Sequence, residues 1–496
     1  MLLALLVISA CKPDQLPPIT TPGASPAATA VESSEENSIH ELIILYTNDE
    51  HGWMEGSDPA AAAANLMGLW QEAEGSTYEN TLVLSGGDMW TGPAISTWFE
   101  GESMVEVMNA MGYDAAAVGN HEFDFGLDDL KARVSESDFP YLSANLRYRS
   151  DGTTPVDLGI QPYTILQING IQVGLIGLTS TSTPVTTHPA NVAEFDFIPY
   201  EDALRQTVPE VIAKGAELIL VPGHLCQGEL EHLAQQVGDL GIDLMGGGHC
   251  NELFAKEVNG ITLIGGGSHM ASYAQVYLRF DTSSDTVLEV DAATHTNQGG
   301  VADPGVAALV SQWQMQIEAE LETAIGYTST GIQRRSQEMQ ALTTESWLQA
   351  YPADVAISNL GGMRDSLPSG EITLAGIISM MPFDNVIVDM SLSGQQLLRV
   401  LALARGQAAI GGVHQRGIRW VLNRSGEEVE PGQRYHLLVN DFMYAGGDDY
   451  TLLAEIDPNA YDTGINWRQP VIDWIAGQHS TAESPLDGAV EALVSP

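Results

Sequence analysis

Gly119-Asn120-His121-Glu122-Phe123-Asp124 follows the short apolar run Ala115–Val118, and its reading decides the fold. A β-rich run that ends in a turn dense with amide, imidazole and carboxylate groups sets potential ligands at the carboxyl end of a strand. The same arrangement recurs along the chain. Leu42–Tyr46 leads to Asp49 and His51, and Thr81–Leu84 to Ser85-Gly86-Gly87-Asp88. Glu217–Val221 leads to Gly223-His224, and Ile242–Met245 to Gly246-Gly247-Gly248-His249. Helical patterns at Pro59–Glu74, Met104–Met111 and Ala203–Lys214 lie between these runs, the alternation of an α/β fold. In such sheets ligands bind outside the carboxyl ends of the strands, so this edge is where chemistry is expected.

An extended Asp-x-His, as in Asp49-Glu50-His51, aims both side chains at one ion, and the glycines before Asp88 let backbone approach the site. Carboxylate, imidazole and amide donors together suit zinc, manganese or a similar divalent ion, whereas an all-oxygen set would suit calcium or magnesium. A shared carboxylate can bridge two such ions. Each fragment alone is weak, since a lone His after glycines often does no more than cap a strand. Five in order, each at a strand end, are a different matter.

Taken together, Thr47-Asn48-Asp49-Glu50-His51-Gly52, Ser85-Gly86-Gly87-Asp88, the Asn120-to-Asp124 block, Gly223-His224 and Gly247-Gly248-His249 resemble the signature blocks of calcineurin-like metallophosphoesterases, and specifically the bacterial 5′-nucleotidase family. The resemblance runs from about Glu41 to the end of the chain. It implies an α/β (α+β) fold, a four-layer αββα sandwich followed by a smaller α/β domain. It implies that Asp49, His51 and Asp88 hold one metal while Asp88, Asn120, His224 and His249 hold a second. His121 would stabilise charge or protonate the leaving oxygen, with Asp124 orienting its ring. Asn251 stands where many relatives carry a His or Gln ligand; it is a metal ligand or, alternatively, a substrate contact. Two divalent ions, Zn, Mn or similar, would activate a water for in-line attack on phosphorus.

The second half begins after a helical pattern at Asp303–Ile325. Strand candidates are Val355–Ser358, Val386–Met390, Ile418–Leu422 and Tyr435–Asn440, with a helix at Gly394–Ala404. Asn359-Leu360-Gly361-Gly362-Met363-Arg364 resembles the family's Asn-Gly-Gly-Gly-Ile-Arg block, implying that Arg364 grips a phosphate; Arg405 matches a second family arginine. Phe442 to Asp448 resembles the block in which a Phe stacks on the base and an Asp bonds the ribose. The other half of the base sandwich departs from the pattern: only His414 in Gly411–Arg416 offers a flat ring. The expected domains are 41–300, a linker helix at 301–327, and 328–496, with closure about the Asp303–Ile325 segment during turnover.

A chain of 496 residues, 44% of them apolar, is long enough for two domains and shows no internal repeat. Its formal charge of −46 argues against nucleic-acid polymers and anionic membrane surfaces as partners. Met1–Ala10 is apolar and precedes Cys11, resembling a lipoprotein signal (residues 1–11), although no basic residue leads it. Cys11 would be lipidated and residues 12–40, rich in Pro, Thr, Ala and Ser, would tether an exported body facing periplasm or cell exterior. Cys226 and Cys250 are expected as two buried thiols, with a local disulfide or a thiolate ligand as alternatives. His269 is expected behind the site or on the surface, and His188, His232 and His479 on the surface.

The expectation is therefore a lipid-anchored phosphomonoesterase acting on nucleoside 5′-monophosphates or another small phosphate ester. Cleavage of 2′,3′-cyclic nucleotides or UDP-sugars, and a catalytically inactive binding protein, are the alternatives.

Overall fold

The computed structural model describes residues 38–494 apart from 57 and 75–77; Cys11, the signal and the tether up to residue 37 lie outside the described residues. The first strand, Ile39–Thr47, starts inside the segment expected as tether. It alternates: Leu42, Ile44 and Tyr46 enter one core, while Leu45 enters another. Slipping the register by one residue would exchange these faces at ~1.5–3 kcal/mol per buried side chain, which fixes where Asp49 and His51 emerge.

Two six-stranded sheets make up the N-terminal half. One runs Thr286–Thr296, Ser272–Asp281, Ile39–Thr47, Thr81–Ser85, Ala115–Ala117, Tyr141–Leu142. The other runs Leu253–Val258, Ile261–Gly266, Leu244–Gly246, Leu218–Val221, Ile171–Ile176, Tyr163–Ile168. Between them lies a core containing Leu42, Leu84, Leu175, Leu220 and Ile264. Outside the first sheet, Leu66, Trp70, Val105 and Met108 bring in the helices Ala63–Glu74 and Glu102–Met111. Outside the second, Leu204, Val208, Leu230 and Leu233 bring in Tyr200–Ala213 and Gln227–Gln236. Helix, sheet, sheet, helix is the expected four-layer sandwich. Within each sheet the strands that carry the ligand-bearing turns run parallel to one another, so their carboxyl ends converge on one edge.

In the C-terminal half a mixed five-stranded sheet runs Ala408–Gly411, Val355–Asn359, Arg434–Asn440, Val386–Ser393, Tyr461–Asn466. Val355 and Ile357 face a core with helix Gly394–Ala404, and Ala356 faces one with Gln337–Ala350 and Gln469–Gly477. The expected strand Ile418–Leu422 is instead one arm of a hairpin, Val413–Arg416 with Arg419–Leu422, outside that sheet; Ile418 sits at its tip, 96% exposed.

The joining helix is Pro304–Leu321, capped by Asp303, whose Oδ1 accepts from Gly305 N–H at 2.8 Å and Val306 N–H at 2.9 Å. It is docked rather than free: Val306, Val310 and Trp313 enter the first domain's core, while Ile317 and Leu321 pack with Ala94 and Ile378. Among the described residues no helix is long and apolar enough to cross a membrane.

Candidate active site

Asp88 lies at the centre. Ligand atoms of His51, Asp88 and His121 all fall within 4.8 Å of one another, and so do those of Asp88, His224 and His249. Asp49 joins the first group, its Oδ1 at 3.8 Å from His51 Nε2, buried and without a hydrogen-bond partner. Asn120 joins the second: its Nδ2 donates to the Thr186 carbonyl at 3.1 Å, which turns Oδ1 toward His224 Nε2, also at 3.1 Å.

The donor set fits divalent ions. His51 Nδ1–H donates to the Thr91 carbonyl (2.9 Å) and His224 Nδ1–H to the Gly86 carbonyl (2.8 Å), so both Nε2 lone pairs face the cluster. His224 Nε2 then meets three further acceptors, Asp88 Oδ2 at 2.9 Å, Asn120 Oδ1 at 3.1 Å and His249 Nδ1 at 3.2 Å. Converging lone pairs need a proton or a cation between them. With a proton, burial pulls His224 down but the Asp88 carboxylate outweighs it, lifting the ring to about 10.

The backbone pays a conformational cost to aim these groups. Asp49 (φ 51°), His51 (φ 48°), Asp88 (φ 61°), His249 (φ 71°) and Asn251 (φ 56°) all occupy the left-handed region. Behind Asp88, the buried Glu122 accepts from the N–H groups of Asp88 (2.9 Å), Met89 (2.7 Å) and Gly119 (2.6 Å). Only glycine fits at 119, where a Cβ would lie 2.2 Å from Asp88 Oδ1. His121 Nδ1 sits 2.6 Å from Asp124 Oδ2, and Asp124 Oδ1 accepts from the Thr187 hydroxyl at 2.9 Å. Burial lowers His121, but Asp124 and Asp88 together raise it, favouring the imidazolium.

A cavity of about 430 Å³ opens from this cluster to the second domain, lined there by Asn359, Arg364, Phe383, Phe442 and Asp448. Arg364 Nη2 reaches 3.1 Å from His51 Nε2. Asp448 accepts from Asn359 Nδ2 at 2.8 Å, and its backbone is left-handed (φ 49°). Asn251 is exposed and lines the cavity beside His51.

Several expectations change. Arg405 is exposed at the end of helix Gly394–Ala404 and lines no part of the cavity. His414 is held by Asn423 Oδ1 at 2.7 Å on the outlying hairpin and does not face the cavity either. Besides Phe442, the phenyl rings that do are Phe125 and Phe383, the latter stacked 5.8 Å from His121. His188, expected on the surface, is half-buried and lines the cavity, 3.7 Å from Asp441. His269 stacks on Trp53 at 5.0 Å and lies 5.9 Å from His51, behind the site as expected, while His232 and His479 are exposed. Cys226 and Cys250 are not buried thiols but a disulfide, Cα–Cα 5.1 Å, tying the loop after His224 to the one after His249.

The profile of the 5′-nucleotidase C-terminal domain matches residues 318–455, the stretch that holds Arg364, Phe442 and Asp448. The chain is 24% identical to the protein UshA of Yersinia enterocolitica over 92% of this chain and 93% of that one. It is also 24% identical to a 5′-nucleotidase of Vibrio cholerae, over 93% and 94%. Residues 318–455 are thus a 5′-nucleotidase C-terminal domain, and over its length the chain is similar to bacterial 5′-nucleotidases. The fold of a 5′-nucleotidase precursor from Thermus thermophilus superposes with a TM-score of 0.77 at 22% identity, covering 89% of this chain and 97% of that one. Family likeness thus spans both domains, and the cavity lies where they meet.

Proposed function

We propose that the chain hydrolyses nucleoside 5′-monophosphates to nucleoside and phosphate, outside the cytoplasm, with two divalent ions of the Zn or Mn kind. The observation that carries this reading is one cavity with Asp88, shared by two ligand clusters, at one end and Phe442 and Asp448 at the other. Asp49, His51 and Asp88 would hold one ion, and Asp88, Asn120, His224 and His249 the second, with Asn251 beside the first. Bound there, the ions supply charge neutralisation for the phosphoryl oxygens and a nucleophilic oxygen at neutral pH.

The chain's own groups do the rest. Arg364 adds a guanidinium beside His51 that neutralises the reacting phosphate. His121, kept as the imidazolium by Asp124, stabilises charge on the phosphoryl group and hands its proton to the leaving oxygen. Phe442 and Phe383 offer ring faces that tolerate different bases, and the Asp448 carboxylate accepts from sugar hydroxyls. The apolar run before Cys11 supports export with a lipid anchor.

Purified protein with Mn or Zn, assayed for phosphate release from nucleoside monophosphates, cyclic nucleotides, nucleotide sugars and simple aryl phosphates, tests the proposal. Turnover confined to the aryl esters would sink it.

A further inference from the structure

Residues 180–192 of the first domain supply none of the expected ligands, yet they reach both ends of the cavity. They hold a short helix, Thr183–Thr186, and a 3-10 turn, Pro189–Val192. Toward the second domain, Thr183–Thr186 packs against Gly447–Asp449, the turn that carries Asp448, and His188 approaches Asp441, the residue before Phe442. Toward the ligand clusters, the Thr186 carbonyl accepts from Asn120, and Asn191 Nδ2 donates to the carbonyls of Phe123 at 2.8 Å and Asp124 at 3.1 Å. Thr187 sits between these anchors, its N–H donating to the Thr183 carbonyl at 3.2 Å. Its place is therefore fixed from both domains.

The Thr187 side chain faces Asp124. It is 1% exposed, lines the cavity, and its hydroxyl donates to Asp124 Oδ1 at 2.9 Å. The other carboxylate oxygen, Oδ2, lies 2.6 Å from His121 Nδ1. Among the described residues Thr187 is the one hydrogen-bond partner of Oδ1. With the Asp124 side chain only 6% exposed, water offers little replacement. Asn191 thus fixes the backbone at Asp124, and Thr187 fixes the rotation of its carboxylate. Without the hydroxyl a buried carboxylate oxygen is left unpaired, and the group turns toward another donor and carries the His121 ring with it.

We infer that Thr187 is a positioning residue, acting through Asp124 to aim the His121 ring at the leaving oxygen. The inference rests on the phosphoesterase reading and extends the His121–Asp124 pair by a third member. As the bond from phosphorus to the leaving oxygen breaks, that oxygen keeps the electron pair and takes the Nε2 proton of His121. The oxygen of the attacking water stays on phosphorus, and one of that water's protons restores the ring. Such a proton matters in proportion to how poorly the group leaves: a nucleoside alkoxide needs it, whereas a nitrophenolate departs without it.

The test uses the full, metal-loaded chain with Thr187→Val, which keeps the shape and removes the donor, and Thr187→Ser, which keeps the donor. Thr187→Val should lower kcat for a nucleoside monophosphate about tenfold or more, with the loss in kcat rather than KM. The loss should shrink for phenyl phosphate and be smallest for a nitrophenyl phosphate, and Thr187→Ser should restore most of it. A hydroxyl that did no more than satisfy a buried carboxylate would, once removed, slow all three esters alike. Equal losses on the three, or no loss on any, overturn the inference. A chain that hydrolyses only the aryl esters refutes the nucleotidase reading, while the contrast between the two aryl esters still tests Thr187. The Nδ1–H proton resonance of His121, assigned by its absence in His121→Asn, reads the same contact without turnover. It should lie far downfield in the parent and move upfield or broaden in Thr187→Val; an unchanged resonance counts against the inference as firmly as unchanged kinetics.

Discussion

Glu122 is the residue whose replacement tests the architecture of the site most directly, because it touches the proposed metal ligands only through backbone. Its two oxygens accept three buried N–H groups, those of Asp88, Met89 and Gly119. Glu122→Gln offers one oxygen where the carboxylate offers two, so at least one N–H must face an amide NH₂, a loss of ~1–3 kcal/mol. Glu122→Ala orphans all three donors and leaves a void, roughly 3–6 kcal/mol with no expectation of additivity. Since these N–H groups belong to the loops that aim Asp88 and Asn120, metal affinity should fall by about 10- to 100-fold even in the milder variant. Urea unfolding gives the first quantity and competition with a chromophoric chelator the second. A Glu122→Gln protein that unfolds within ~0.5 kcal/mol of the parent and binds metal as tightly would refute the clamp.

Other perturbations follow from the same structure. Phe442→Ala and Asp448→Asn should raise KM for nucleotides by about tenfold or more and leave turnover of a small aryl phosphate unchanged, because neither residue touches the metal cluster; equal losses on both substrates would contradict this. Removing the Cys226–Cys250 bridge, 24 residues apart, should cost ~3 kcal/mol of stability on a loop-closure estimate and loosen the turns bearing His224 and His249, read as a lower unfolding midpoint and weaker metal binding. Burial pushes Asp114 from 3.8 to about 6, outweighing the bond it accepts from Val83 N–H. The folded chain therefore holds that proton more tightly than the unfolded one, and this contribution to stability is present below about pH 4 and lost as pH rises through about 6. Asp114→Asn should be ~1–2 kcal/mol more stable than the parent at pH 7.5 and equal to it near pH 4, by urea midpoints.

The candidate ligand cluster was legible because such chemistry needs distinct residue types at strand ends, and parallel strands bring those ends together. Asp49, Asp88, Asn120, His224 and His249 could therefore be picked out without coordinates. The sandwich was legible for the same reason, although three hairpins were missed: Ser272–Asp281 with Thr286–Thr296, and two whose turns, Asn169-Gly170 and Asn259-Gly260, with φ of 45° and 87°, and 54° and 80°, carry the usual two-residue signal. Phe383 was invisible because an aromatic in a Pro-Phe-Asp-Asn turn has no period to betray it. Arg405 and His414 misled because motif position stood in for geometry. The disulfide was underweighted since nothing in a 24-residue separation says that the two loops meet at 5.1 Å. Glu122 sits inside the most telling motif, yet its role runs through backbone N–H groups that no sequence displays.

The left-handed residues join these observations. Asp49, His51, Asp88, His249, Asn251, Arg335 and Asp448 all sit at positive φ, and all line a cavity or carry a proposed ligand. A His there costs ~1–2 kcal/mol against ordinary backbone and an Asp or Asn less, together a sizeable share of the net stability of a typical domain, ~5–15 kcal/mol. Glycine would remove that cost at every one of these positions, and does so at the neighbouring Gly52 (φ 66°) and Gly87 (φ 85°), where no side chain is needed. Elsewhere the left-handed backbone sits in hairpin turns, as at Asn169, Asn259 and Asp285, whereas at Asp49, His51, Asp88 and His249 it aims a side chain at the ligand cluster. Arg335 belongs with the turns: its positive φ lies in Gln333–Ser336, closed by the Ser336 N–H to the Gln333 carbonyl at 3.0 Å, so a turn explains it without any call on the site.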